Sequence, residues 1–131
     1  MQMSEIASFS TDQDQGRWFE LHDPVEGTPT GIKLRIAGPD SATQRRAELA
    51  MVDELAEMAD AQGRVSAEHR QAARLGCLAR CVLGWELFED GEPVPFTHAN
   101  VLRLLRAGRW VEQQIDGFAG DRAAFRGPAN D

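Results

Sequence analysis

The sequence predicts an α+β domain in which an N-terminal antiparallel β-hairpin packs on a bundle of about four helices. Three observations predict it. Ile32-Lys33-Leu34-Arg35-Ile36 alternates apolar and cationic side chains, with the period of two of a half-buried strand. Ser41, Ser66 and Thr97 each stand where an N-cap hydroxyl precedes an amphipathic run. A chain of 131 residues is long enough for one modest core and too short for two.

Residues 1–15 are polar, rich in Ser, Asp and Gln, and show no periodicity, so they read as a flexible arm. Trp18-Phe19-Glu20-Leu21-His22 is the first strand, with Phe19 and Leu21 on one face and Trp18 on the other. Residues 23–31 are dense in turn formers and cannot be helical. The alternating run 32–36 returns as the second strand. A lone hairpin is marginal in water. It must dock on the helices or pair its edge with another copy, and the second option creates a homo-oligomer.

Gly38-Pro39-Asp40 ends the hairpin, and Ser41 with Gln44 has capping-box spacing. Ala47, Met51, Leu55 and Met58 then form the apolar stripe of a first helix, while Glu48, Asp53, Glu54 and Glu57 face water. Gly63 is its expected C′ residue. Ser66 caps a second helix, whose buried side is expected to carry Ala72, Leu75, Ala79, Val82 and Leu83. The short connection between the two favours an αα-hairpin. A third helix runs from His98 to Ala107, and Gly108 breaks it. Trp110, Val111, Ile115 and Phe118 continue as a fourth, and Ala123-Ala124-Phe125 adds a last turn. The domain therefore covers 16–125, with 126–131 as a loose tail.

Between the second and third helices lies an elbow, Gly84-Trp85 through Thr97. Asp90-Gly91 is a turn dipeptide, because glycine takes positive φ without steric cost. Pro93 and Pro95 lack a donor N–H and push their predecessors towards extended backbone, so helix cannot cross 92–95. Thr97 then caps, and Phe96 and Val101 have the spacing of a hydrophobic staple. The expectation is an aromatic turn clamped between two helices.

Composition excludes several classes. No run approaches the ~18–20 apolar residues of a membrane span, and the N-terminus has neither the basic start nor the apolar block of a secretory signal. The expected compartment is the cytoplasm. Net charge is −7, which disfavours a protein that lives on nucleic-acid phosphates. Cys77 and Cys81 are four apart on a helical pattern, too far apart at Cβ for a disulfide and too few for a zinc site, so they read as buried thiols. His22, His69 and His98 sit in separate elements. No phosphate loop, nucleophile elbow or His-Glu-x-x-His is present. The acids Glu86, Glu89, Asp90 and Glu92 flank a turn and do not bracket a cleft. No enzyme, cofactor or metal is expected, which leaves binding to other proteins.

The run Gly84-Trp85…Asp90-Gly91…Pro93-Val94-Pro95-Phe96-Thr97…Asn100-Val101…Leu104-Leu105 resembles the small tail assembly chaperones of long-tailed bacteriophages and prophages. Asp23-Pro24…Gly27…Gly31-Ile32-Lys33-Leu34-Arg35-Ile36-Ala37-Gly38-Pro39-Asp40-Ser41 is similar to their N-terminal part. The resemblance implies a non-enzymatic protein of the bacterial host cytoplasm that is absent from the mature virion. Such proteins hold the tape measure protein soluble and recruit tail tube subunits to it. The same resemblance marks Trp85, Phe88, Val94, Phe96 and Leu105 as pattern positions. Trp18 adds a candidate interface residue from strand alternation. The alternatives are a structural tail or head–tail connector subunit, or a small phage repressor or anti-repressor.

Overall fold

The computed structural model describes residues 1–126, in the order α1 (Met3–Gln13), β1 (Arg17–His22), β2 (Pro29–Ile36), α2 (Ala42–Glu57), α3 (Ala67–Arg80), β3 (Val82–Glu86), β4 (Phe88–Glu89), β5 (Glu92–Pro93), α4 (His98–Ala107), α5 (Arg109–Ala119) and a 3-10 turn, Arg122–Phe125. The α+β class and the N-terminal hairpin are as expected. Among the described residues the helix count is five, because residues 1–15 hold α1 where a flexible arm was expected. Beyond Arg126, the tail expected over 126–131 lies outside the described residues.

α1 escaped the sequence pattern because side-chain hydrogen bonds at its C-terminal end hold it, with little apolar stripe. Gln13 is fully buried. Its Oε1 accepts from the Asp40 amide at 2.6 Å, and its backbone carbonyl accepts from the Gly38 amide at 3.0 Å. A Cβ on Gly38 would overlap the Gln13 side chain, so glycine is what lets α1 dock on the β2–α2 corner. One residue on, the Asp14 carboxylate accepts from the amides of Ala42 and Thr43 and from the Thr43 hydroxyl. It thus satisfies free N–H groups at the start of α2. Burial works to raise the Asp14 pKa, but these hydrogen bonds and the nearby Arg46 charge outweigh it and hold the carboxyl below its ordinary value. Arg17, 1% exposed, donates to Asp12 at 2.7 Å and lies 5.9 Å from the Phe125 ring centre.

The sheet has three strands in the order β1-β2-β3, all antiparallel, with β2 in the centre. This corrects the expected extent of the second helix. α3 ends at Arg80, and Val82 and Leu83 belong to β3. Val82 and Trp85 favour a pleated surface, and Gly84 between them disfavours continuing the helix. The third strand also covers the β2 edge that a lone hairpin would leave open. Phe19, Leu34 and Trp85 pair in one row across the strands on the helix-facing side. On the opposite face Trp18, Arg35 and Gly84 form the equivalent row.

The helices bury Leu75, Leu78, Val101, Leu105, Val111 and Ile115 against Leu21, Leu34, Ile36 and Val82 of the sheet. Phe118 of α5 stacks on Phe19 at 4.8 Å and meets Phe125 at 5.3 Å. All three expected N-caps form: Ser41, Ser66 and Thr97 accept from the amides of Gln44, His69 and Asn100 respectively. The capping box at Ser41 is half made. The Gln44 amide group reaches instead to the carbonyls of Ala37 and Ala119, tying α2 to the end of α5. Gly63 does have positive φ, but it lies in the α2–α3 loop, where its amide donates to Asp60; α2 has already ended at Met58. Among the described residues no helix is long and apolar enough to cross a membrane.

Candidate functional site: an aromatic groove between a two-stranded ribbon and helix α4

After β3 the chain turns into a short ribbon, β4 paired with β5 through Phe88↔Pro93 and Glu89↔Glu92. The turn residues Asp90 and Gly91 have φ of 52° and 79°. Two successive positive φ values are those of the tight hairpin turn whose twist matches flanking strands. The elbow thus carries a ribbon where a turn between two helices was expected.

This ribbon is pinned by polar contacts from both sides. Val94 donates its amide to Leu87 at 2.8 Å, and its carbonyl accepts from the Trp85 indole Nε1 at 2.9 Å. Asn100 Nδ2 donates to the Pro95 carbonyl at 2.9 Å. Phe96 meets Trp85 edge to face, with centres 5.4 Å apart and an 81° interplanar angle, a favoured aromatic geometry. The prolines remove donors that this stretch would otherwise have to satisfy.

The pinned ribbon stands off α4 and leaves a groove of about 210 Å³. Leu87, Phe88, Val94, Leu104 and Ala107 supply its apolar lining, with Glu89, Asn100 and Arg103 as its polar part. Phe88 is 64% exposed. Arg103 donates to Glu89 at 3.1 Å across the groove, and both side chains are largely exposed. A pair so wetted is worth at most about 1 kcal/mol and opens readily. Small-molecule sites usually enclose ~300–1,000 Å³ and bury most of the ligand. This one is smaller and open, and suits one or two side chains of a polypeptide.

The structure gathers four of the six candidate residues here and separates two. Phe88 and Val94 line the groove, while Trp85 and Phe96 buttress it from behind. Leu105 is 1% exposed and belongs to the core, so it cannot touch a partner. Trp18 lies on the other face of the sheet, half-buried, with the Arg35 guanidinium 6.0 Å from its ring centre. Residues the sequence reading passed over are Leu87, Asn100, Arg103, Leu104 and Ala107. Four of them recur at helical spacing (100, 103, 104, 107), so a second stripe on α4, beside the buried Val101–Leu105 stripe, was the available signal.

Elsewhere the chemistry is quiet. Burial raises the thiol pKa of Cys77 and pushes that of Cys81 up to about 12, so neither is a ready nucleophile. Both are free thiols. Among the described residues no three His, Cys, Asp or Glu side chains are placed to hold a metal. Comparison of the chain with family models, with curated proteins and with solved structures gives no match.

Proposed function

We propose that this chain is a phage or prophage tail assembly chaperone, a non-catalytic protein of the host cytoplasm that covers apolar surface on the tape measure protein and recruits tail tube subunits. The observation that carries the binding part is the rigid groove beside α4 with Phe88 held out to solvent. Ordering costs of binding are lowest where the receptor is pre-set, and the Val94 and Pro95 hydrogen bonds pre-set this one. A tape measure is a long helix with apolar stripes, and side chains at helical spacing entering a groove are an established recognition mode. Covering the exposed 64% of Phe88 contributes roughly 1–2 kcal/mol, enough for a contact that forms and releases. The tail assignment itself rests on the resemblance of the 84–105 and 23–41 runs.

The test is co-expression with the tape measure protein of the same genome. The chain should keep that protein soluble and co-purify with it, and Phe88→Ser should abolish both effects while leaving the fold intact. An equally soluble tape measure with and without the chain would refute the proposal. A second reading, a structural tail or connector subunit, draws on β3, which ends the sheet with no ladder partner on its outer side among the described residues. Finding the chain in purified particles would favour that reading instead.

A further inference from the structure

Helix α2 carries two features that its own chain does not account for. It packs on α3 through the side bearing Ala47, while Leu49 and Val52 on the other side are 55% and 59% exposed. Ala42, Leu49, Val52 and Ala56 fall on one stripe by helical spacing, and all four are exposed. The exposed charges beside this stripe are Arg45 and Arg46 in the first half and Asp53 and Glu57 in the second, with Glu48 the one acid of the first half, on the flank towards Cys77 of α3. That order opposes the helix dipole, which favours acids at the start and bases at the end. α2 has no acid in its first turn and no base in its last. Among the described residues the Asp14 carboxylate, near Arg46, offsets part of it at the start, and Arg80 of α3, which donates to Glu54, offsets part of it in the second half.

We infer that this face of α2 is a self-complementary surface that pairs antiparallel with α2 of a second copy. Consider a two-fold axis passing between Leu49 and Val52. Leu49 then lies level with the partner's Val52, and the apolar centre closes on itself. With a rise of ~1.5 Å per residue, Arg46 falls between the partner's Asp53 and the partner's Glu57, roughly 3 Å along the axis from each. Arg45 faces the partner's Ala56, whose small side chain leaves it room. The symmetry repeats every contact, as an isologous interface requires. Antiparallel packing also sets the start of each dipole beside the end of the other, which relieves the unfavourable charge order. No other occupant is needed to explain a basic half, an apolar middle and an acidic half on one face.

One face of a 16-residue helix is a small interface, so the dimer is expected to be weak and concentration-dependent. The groove beside α4 shares no residue with this face. A dimer would therefore carry two grooves, and a long partner with repeated stripes could engage both.

Sedimentation velocity over a concentration series tests the pairing with a charge-swap design. The wild type should pass from monomer to dimer as concentration rises. Arg46→Glu leaves only acids at the seam where residues 46, 53 and 57 meet, and the double variant Asp53→Arg with Glu57→Arg leaves only cations there. Each alone should move the dimerisation midpoint up by at least about tenfold. Mixed one to one, the two variants place unlike charges at both seams, and dimer should return near the wild-type midpoint. Recovery on mixing is the readout that local damage near Asp14 cannot imitate. The inference is overturned by a wild type that stays monomeric, by variants that self-associate like the wild type, or by a mixture that does not recover.

Discussion

The α1 junction and the β4–β5 elbow are both held by hydrogen bonds to backbone, yet they end in opposite states. At the junction the polar partners are buried with the backbone they satisfy: Gln13 against Gly38 and Asp40, Arg17 against Asp12 and Phe125. The exposed apolar residues of α1, Met3 and Ile6, lie nearer its other end. At the elbow the hydrogen bonds of Trp85, Val94 and Asn100 fix a ribbon whose aromatic side chains are only partly covered. A closed polar lock contributes stability and specificity to the chain that makes it. An open aromatic frame leaves burial free energy to be gained from another molecule.

The contrast can be broken at its strongest point first. Replacing Arg17 with Ala removes a side chain that is 1% exposed, and the cavity left beside Phe125 should cost about 2–5 kcal/mol, read as a lower urea midpoint. Gln13→Ala orphans the Asp40 amide and should cost roughly 1–3 kcal/mol by the same measurement. At the elbow the effects should be smaller. Gly91→Ala forces a Cβ into the left-handed region at φ 79°, for about 1–2 kcal/mol. Phe88→Ser should stay within ~0.5 kcal/mol of wild type, because the ring is mostly in water, while removing partner binding. A Phe88→Ser protein that unfolds would show the elbow to be core, and the contrast would fail.

Acid sharpens the same comparison. Arg122 donates to Asp40 and, despite partial burial, holds its carboxyl below the ordinary value; Asp14 is lowered as well. Groups depressed on folding stabilise above the unfolded pKa, about 3.9 for Asp, and that stability is lost as pH falls through the folded values. The unfolded chain binds more protons in that window, so stability should rise with pH there. Asp14→Asn should flatten part of this slope, measured by urea unfolding between pH 2 and about 5. An unchanged slope would mean that Asp14 does not clamp α1 to α2.

Where local chemistry is decisive the sequence was readable. Three hydroxyl caps, the Asp90-Gly91 turn, the helix break at Gly108 and the alternating strand 32–36 all sit where residue types place them. Of the eight residues that line the groove, two, Phe88 and Val94, were among the pattern positions singled out from the sequence. Leu105 was not separable from them, because a helix stripe does not say which of its leucines faces inward until a partner element is in place. α3 was drawn too long for a related reason. Val82 and Leu83 continue an apolar helical pattern as well as they begin a strand, and only the free β2 edge chooses between the two.

The amino-acid order alone determined the local starts and stops, through φ preferences, missing donors and cap hydroxyls that act within a few residues. Tertiary structure decided the rest. That residues 3–13 form a docked helix depends on Gly38 and Asp40, some 25 residues away along the chain. The exposure of Phe88 depends on a ribbon held by contacts to Trp85 and α4. The first joins segments distant in sequence; the second joins strand, ribbon and helix within a few residues to about a dozen, and neither kind of contact leaves a periodic trace.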